Sequence, residues 1–349
     1  MVSFQEYKQL CKERKLLRKY SNHIVAQSAL DDILYHNLGF KNKKLDARAR
    51  LNLETSSKIE KLVLHSLRMY GNDKLADKIL FCGVVRKGKK KRVYCHSPWC
   101  KTCREEKYFL TQFGRFTDRV THNMTWRKYV DDDFNNFDFQ HLTIINSIHK
   151  VDDLDDVENG INKSREELKS VFRDSVDNKF SRTYLIGTHE LELIDFSRFS
   201  ELGSHKKKTL SALDGFEQFK NGGFGVVLHS HSLLMNPKDF DLSSVESVDA
   251  KAEIISKIKS KYTAFKQTRI ENLWGKSKFG HDMTTRDNVE NILKYSFKNR
   301  VVYNLKWSSG YGGYGKFNDI FGFQQIHDLV TTYDKLGWKG LLINIRGTK

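Results

Sequence analysis

Four cysteines within 22 positions, spaced Cys82-x12-Cys95-x4-Cys100-x2-Cys103, most narrow what this chain of 349 residues can fold into. A Cys-x2-Cys pair presents two thiolates from one tight turn, and two further thiolates nearby close a tetrahedron around Zn²⁺. Four thiolates leave no open coordination position, so such a centre is structural. Residues Met1–Leu10 carry no apolar segment of the secretion-signal type. Reduced metal ligands are therefore expected rather than disulfides, in a cytoplasmic protein. His96, beside Cys95, is an alternative ligand. Lys89, Lys90, Lys91 and Arg92 crowd the loop between the first two cysteines, where they are suited to phosphate contacts.

The charge balance agrees with such contacts. Lys plus Arg is 60 against 43 Asp plus Glu, a formal charge of +17. A large cationic excess in a folded chain points first to a polyanion, and nucleic acid is the commonest. With 39% hydrophobic and 12% aromatic residues, a disordered low-complexity chain is excluded. No apolar run approaches the ~18 residues of a membrane span, so no membrane partner is expected.

Periodicity divides the rest. Leu10, Leu17 and Ile24 recur every seven residues, and Ile59, Leu62, Val63 and Leu67 follow helical spacing. Residues 1–80 are expected to form a helical accessory region, followed by the basic cysteine segment over 81–130. From residue 131 the pattern changes. Strands are expected over 137–146, 183–194 and 224–235, with helices over 153–180, 246–272 and 284–300 and a possible strand near 279–285. That order predicts an α+β core over 131–300, an antiparallel sheet with helices in a ferredoxin-like arrangement. Residues 301–349 hold the Gly/Tyr/Trp loop WSSGYGGYGKF, then a helix and a last strand over 322–345, and form a C-terminal extension.

Three features of the core carry chemistry. His229-Ser230-His231 lies on an expected strand, so both imidazoles point to one face about 7 Å apart, a spacing that suits one divalent metal. The preceding strand puts Thr188, Glu190 and Glu192 on one face and His189 with two leucines on the other. If the strands pair, a carboxylate completes the histidine site, while His189 reads as a core histidine. On the helix DNVENILKYSFK, Asn291, Tyr295 and Lys298 share the side opposite the apolar stripe. A tyrosine and a lysine so placed can face a substrate phosphate.

Together these features resemble the HUH endonucleases, specifically the rolling-circle replication initiator (Rep) proteins of plasmids and phages. The segment CGVV…VYCHSPWCKTC resembles their cysteine-rich motif, and HLTIIN (141–146) their first core motif. LHSHSLLM resembles the His-hydrophobic-His motif, and KYSFK (294–298) the Tyr-x-x-Lys motif. The resemblance spans about residues 82–300. It implies a ferredoxin-like HUH core and metal-dependent nicking and rejoining of single-stranded or extruded origin DNA. Tyr295 would be the nucleophile, forming a 5′-phosphotyrosine, and Lys298 would assist at the phosphate. His229 and His231 would hold Mg²⁺ or Mn²⁺, with Glu190 or Glu192 as third ligand. Structural Zn²⁺ would sit on Cys82, Cys95, Cys100 and Cys103. The chain has no Gly-x4-Gly-Lys-Ser/Thr helicase motif, so a host helicase and polymerase are implied partners.

The chain departs from the family at three places. Ser230 replaces a bulky hydrophobe, and about 30 residues, including His205-Lys206-Lys207-Lys208, separate the two metal-bearing strands. Asn291 stands where some members carry a glutamate, and the nearest acid, Glu290, is rotated about 100° away. An HUH transposase and a non-catalytic zinc-containing DNA-binding regulator are the alternatives.

Overall fold

Alternation of apolar and polar side chains builds the sheet at the centre of this protein. The computed structural model describes residues 58–85, 92–109, 137–173, 183–237, 246–273, 285–296, 302–308, 314–320 and 322–346. Helices α1 (Lys58–Met69) and α2 (Asp73–Leu80) precede a two-stranded ribbon, β1 (Val84–Val85) with β2 (Arg92–Val93). Of the helical region expected over 1–80, residues 1–57 lie outside the described residues.

The core runs β3 (Phe137–Lys150), α3 (Leu154–Arg173), β4 (Tyr184–Asp195), α4 (Ser204–Leu210), β5 (Phe224–Pro237), α5 (Glu246–Lys261) and β6 (Thr268–Asn272). Helix α6 (Thr285–Ser296), the hairpin β7 (Val302–Ser308) with β8 (Tyr314–Ile320), α7 (Phe323–Leu341) and β9 (Leu342–Arg346) follow. Five strands form one sheet in the order β6-β3-β5-β4-β9, and every neighbouring pair is antiparallel. The fold is α+β.

One expectation is corrected. The basic stretch 246–272 is not one helix: α5 ends at Lys261 and β6 begins at Thr268. The helix buries Ile254 and Ile258, and Tyr262 packs beside them just past its end. The chain then turns through Lys266 at φ 53°, and Gln267 bonds the main chain of Ile145. The many Lys residues at helical spacing concealed a short edge strand. The possible strand at 279–285 falls outside the described residues up to 284, and Thr285 opens α6. The helix and strand expected over 322–345 are present, and β9 does more than extend the chain. It pairs with β4 from Thr188↔Leu342 to Tyr184↔Arg346 and completes the sheet.

Each sheet face has its own cover. One packs Leu142, Ile144, Leu185 and Leu234 against Leu168 and Val171 of α3 and Ile254 and Ile258 of α5. Farther along it, Leu191, Leu193, Val226 and Leu228 meet Ile326, Leu329 and Val330 of α7, which also pack on Val63, Leu64 and Leu67 of α1. The other face packs Phe137, Phe139, Ile186, Leu233 and Met235 against Val289 and Leu293 of α6.

Two local devices set the register. In β3 the pairing with β5 shifts between Ile145 and Ser147, so Asn146 is an extra residue. Its side chain donates to Ser230 Oγ at 2.7 Å and accepts from Ser164 Oγ at 3.0 Å. In β4, Gly187 lies opposite Ser232 so closely that a Cβ there would be 2.0 Å from the His231 carbonyl oxygen. That neighbour is backbone and cannot swing away. Gly187→Ala is therefore expected to cost about 2 kcal/mol or more, read as a lower thermal midpoint. An unchanged midpoint would show that β4 and β5 tolerate separation at this point.

Candidate functional site

The register of β4 on β5 gathers the predicted ligands. Glu190 pairs with His229 and Thr188 with His231, and directly opposite residues share a face. Glu190, Glu192, His229 and His231 therefore stand on the face that α6 covers farther along. Central strand β5 carries both histidines, flanked by β3, where Thr143 pairs with His231 and Ile145 with His229.

The side chains close in two pairs. His231 Nε2 is 2.9 Å from Glu190 Oε2, and both side chains are about 7% exposed. His229 Nε2 is 2.9 Å from Glu192 Oε2, yet this buried nitrogen makes no aligned hydrogen bond. The two imidazoles are parallel within 7°, with centroids 6.0 Å apart. Thr143 Oγ1 lies 3.3 Å from His231 Nδ1. A partner on Nδ1 fixes the ring so that Nε2 faces the carboxylates, the usual support of a ligating histidine.

Two residues that the sequence patterns did not single out join this cluster. His141 on β3 stacks on His231 with centroids 5.9 Å apart, and its Nε2 is 3.4 Å from Thr143 Oγ1. Burial, and next the adjacent His231, push its pKa down to about 4, so it stays neutral near pH 7. The alternation Phe137, Phe139, His141, Thr143 was the available signal for its placement. Lys206 of α4 reaches Glu192, with Nζ 2.7 Å from Oε1. Burial alone would raise the Glu192 carboxyl, but Lys206 and His229 hold it well below the usual carboxylate range. No local pattern announced Lys206, because its approach depends on how the 30-residue connection folds back.

The chemistry of this donor set fits a divalent cation: two imidazole Nε2 atoms and two carboxylates on adjacent strands. The spacing is wider than a closed site. Among the described residues, the four cysteines are the one group of three or more ligand atoms lying within 4.8 Å of one another. Holding one ion between His229 and His231 would require the rings to draw together.

The cysteine cluster is already closed. Cys82, Cys95, Cys100 and Cys103 are buried and unbridged. Cys103 Sγ lies 3.5 Å from Cys82 Sγ and 3.6 Å from Cys95 Sγ. A tetrahedron with ~2.3 Å metal–sulfur bonds has edges of about 3.8 Å, so the four thiols could hold a metal ion such as zinc. The Cys95 amide donates to Cys82 Sγ and the His96 amide to Cys103 Sγ, at 3.4 and 3.2 Å. The contact with Cys100, then those with the other two cysteines, pull the Cys82 thiol pKa down and push that of Cys95 up. Four thiolates this close cannot all ionise alone, and a cation removes that conflict. The close ligand group consists of the four cysteines without His96, whose Nδ1 lies 2.9 Å from Tyr108 Oη. Tyr108 in turn stacks on Trp338 of α7 at 4.3 Å, and Trp99 meets Tyr333 edge-on at 5.6 Å. The cluster is thus tied to the sheet through α7.

The remaining predicted residues divide as follows. Tyr295 lies in the last turn of α6, the helix whose Val289 and Leu293 pack on the histidine-bearing face. The Tyr295 side chain, and all of Lys298, Lys89, Lys90 and Lys91, lie outside the described residues. Arg92 is exposed on β2. His189 is 2% exposed on the opposite face, with Nδ1 3.2 Å from the Leu341 carbonyl and Nε2 3.2 Å from Ser164 Oγ. Burial, then Arg165, push its pKa down to about 3, as suits a neutral core histidine. No described helix is long and apolar enough to cross a membrane.

No protein-family model, no curated protein and no solved structure matches the chain.

Proposed function

We propose that this chain is an HUH-type endonuclease that nicks and rejoins single-stranded origin DNA to initiate rolling-circle replication. One observation carries the reading. The β4–β5 register stands two histidines and two glutamates on one sheet face, and the helix bearing Tyr295 packs on that same face. The order β3-α3-β4-α4-β5-α5-β6, with these four strands arranged β6-β3-β5-β4 and β9 added at the end, supports a ferredoxin-like HUH core.

In this reading the Tyr295 hydroxyl attacks the scissile phosphorus, giving a 5′-phosphotyrosine, and the 3′-oxygen leaves as a hydroxyl that primes synthesis. The ester keeps the phosphodiester's energy for later rejoining. His229, His231 and Glu190 would hold Mg²⁺ or Mn²⁺. Glu190 is preferred over Glu192 because Lys206 already engages a Glu192 oxygen. When bound, such a cation would supply charge neutralisation at the phosphate. Thr143 orients His231, and Lys298 assists at the phosphate. The zinc-bound cysteine segment carries Lys89, Lys90, Lys91 and Arg92 to the DNA backbone. Host helicase and polymerase act downstream.

The test is a nicking assay on single-stranded oligonucleotides from the replicon's origin, with Mn²⁺ or with EDTA. Cleavage is expected only with metal. The double variant His229→Ala, His231→Ala should lose it while keeping its circular dichroism. Full activity in that variant would sink the metal assignment. A second reading, a zinc-containing DNA-binding regulator, is favoured by the ligand atoms of the His–Glu cluster not lying within 4.8 Å of one another, as those of the four cysteines do. It predicts tight binding and no cleavage with any metal.

A further inference from the structure

Beside the histidine cluster lies an aromatic surface faced with cations. The Phe265 ring stacks on His205 with centroids 5.6 Å apart and planes within 11°. Lys208 Nζ lies 4.5 Å from the centre of the same ring, and Lys266 Nζ 5.4 Å. His205, Lys208 and Lys266 are exposed, and Phe265 is half-buried. Lys266 has φ 53°, in the left-handed region that non-glycine residues seldom occupy.

This surface is firmly mounted. Thr209 Oγ1 of α4 donates to the Phe265 carbonyl at 2.7 Å, joining the helix to the turn. Gln267 Oε1 accepts from the Ala264 amide at 3.0 Å, and its Nε2 donates to the Ile145 carbonyl at 2.9 Å. The Ile145 amide donates to the Gln267 carbonyl, also at 2.9 Å. Ile145 is the residue opposite His229. The main chain of Gln267, at the end of the turn, is therefore two strand spacings from that of His229, about 10 Å. Helix α4 also supplies Lys206, which contacts Glu192 of the cluster.

We propose that α4 and the turn 263–267 form a stacking platform for single-stranded DNA next to the histidine cluster. A flat ring face flanked by ammonium groups suits an unpaired base and its neighbouring phosphates. A duplex keeps its bases stacked on each other and offers none to Phe265. The base displaces the His205 imidazole from the ring, and Lys208 and Lys266 meet the adjoining phosphates. The proposal deepens the nuclease reading and rests on it for the identity of the strand.

The test is fluorescence anisotropy of the full chain with a labelled single-stranded oligonucleotide and with the matching duplex, in EDTA so that nothing is cut. Phe265→Ala should weaken single-strand binding about tenfold and leave duplex binding unchanged. Phe265→Trp should retain it, which separates loss of the ring from misfolding. Lys208→Gln with Lys266→Gln should lower the salt slope of log K by about 1.4, two phosphate contacts' worth. Unchanged affinity in Phe265→Ala together with an unchanged slope in the double variant would overturn the platform. If wild type never nicks but these variants still lose single-strand binding, the platform stands and the nuclease reading fails. If wild type nicks and the variants bind normally, the reverse holds.

Discussion

If the proposed mechanism holds, Tyr295→Phe is expected to abolish the covalent DNA–protein adduct and to lower nicking by about 10⁴-fold or more, while DNA binding persists. The change removes one oxygen and keeps the ring. Helix α6 is held to the sheet by Val289 and Leu293, neither of which changes, so the fold should be intact. The size of the effect follows from chemistry: without the hydroxyl there is no nucleophile for the first step, and losses at nucleophilic residues are of this order. The measurement is a denaturing gel of the full chain with a 5′-blocked, 3′-labelled oligonucleotide and Mn²⁺. A shifted protein band in wild type that vanishes in Tyr295→Phe is the expected result. An adduct that survives the substitution would assign the attack to another residue and remove Tyr295 from the mechanism.

Cys100→Ser should have the largest effect on stability. Zinc content is expected to fall from one per chain to near zero, measured by mass spectrometry of the metal. In small zinc domains the metal contributes about 10–16 kcal/mol to folding, comparable with a domain's whole stability of about 5–15 kcal/mol. The loss should not stay local. Tyr108 stacks on Trp338 and Trp99 abuts Tyr333, so loosening the cysteine segment uncovers part of α7. A markedly lower thermal midpoint, matched in wild type by prolonged chelation, is the expected outcome. A variant with full zinc content would refute the four-cysteine site.

The sheet was legible because its central strands alternate cleanly. FDFQHLTIIN, TYLIGTHELELI and FGVVLHSHSLLM each place their chemistry on one parity, and their mutual pairing follows from burying the other. The short edge strands were harder. β6, TRIEN, is only half covered, so its pattern reflects partial burial and runs on from a lysine-rich helix. β9 finds its place only through long-range pairing with β4, which no local period encodes. The same distinction holds in the site. His229, His231, Glu190 and Glu192 lie on patterned strands and could be aligned in advance. Lys206 arrives from an irregular connection, and whether it meets Glu192 is settled by tertiary packing. His141 was patterned, but one histidine among phenylalanines carries no mark of a polar neighbour until His231 is set beside it.

The extra residue in β3 gives that strand two phases. Before Asn146, odd-numbered residues such as His141 and Thr143 look toward the histidines of β5. After it, Ser147 and His149 pair with Leu228 and Val226 and take the opposite side of the sheet. A single strand thus serves two environments with the same parity, and Asn146 is the point where the frame slips. Its length is consequently as constrained as its composition. Deleting Asn146 would leave every other residue of β3 opposite its present partner on an unbroken ladder, whereas a deletion elsewhere in the strand would put one part of it on the wrong side.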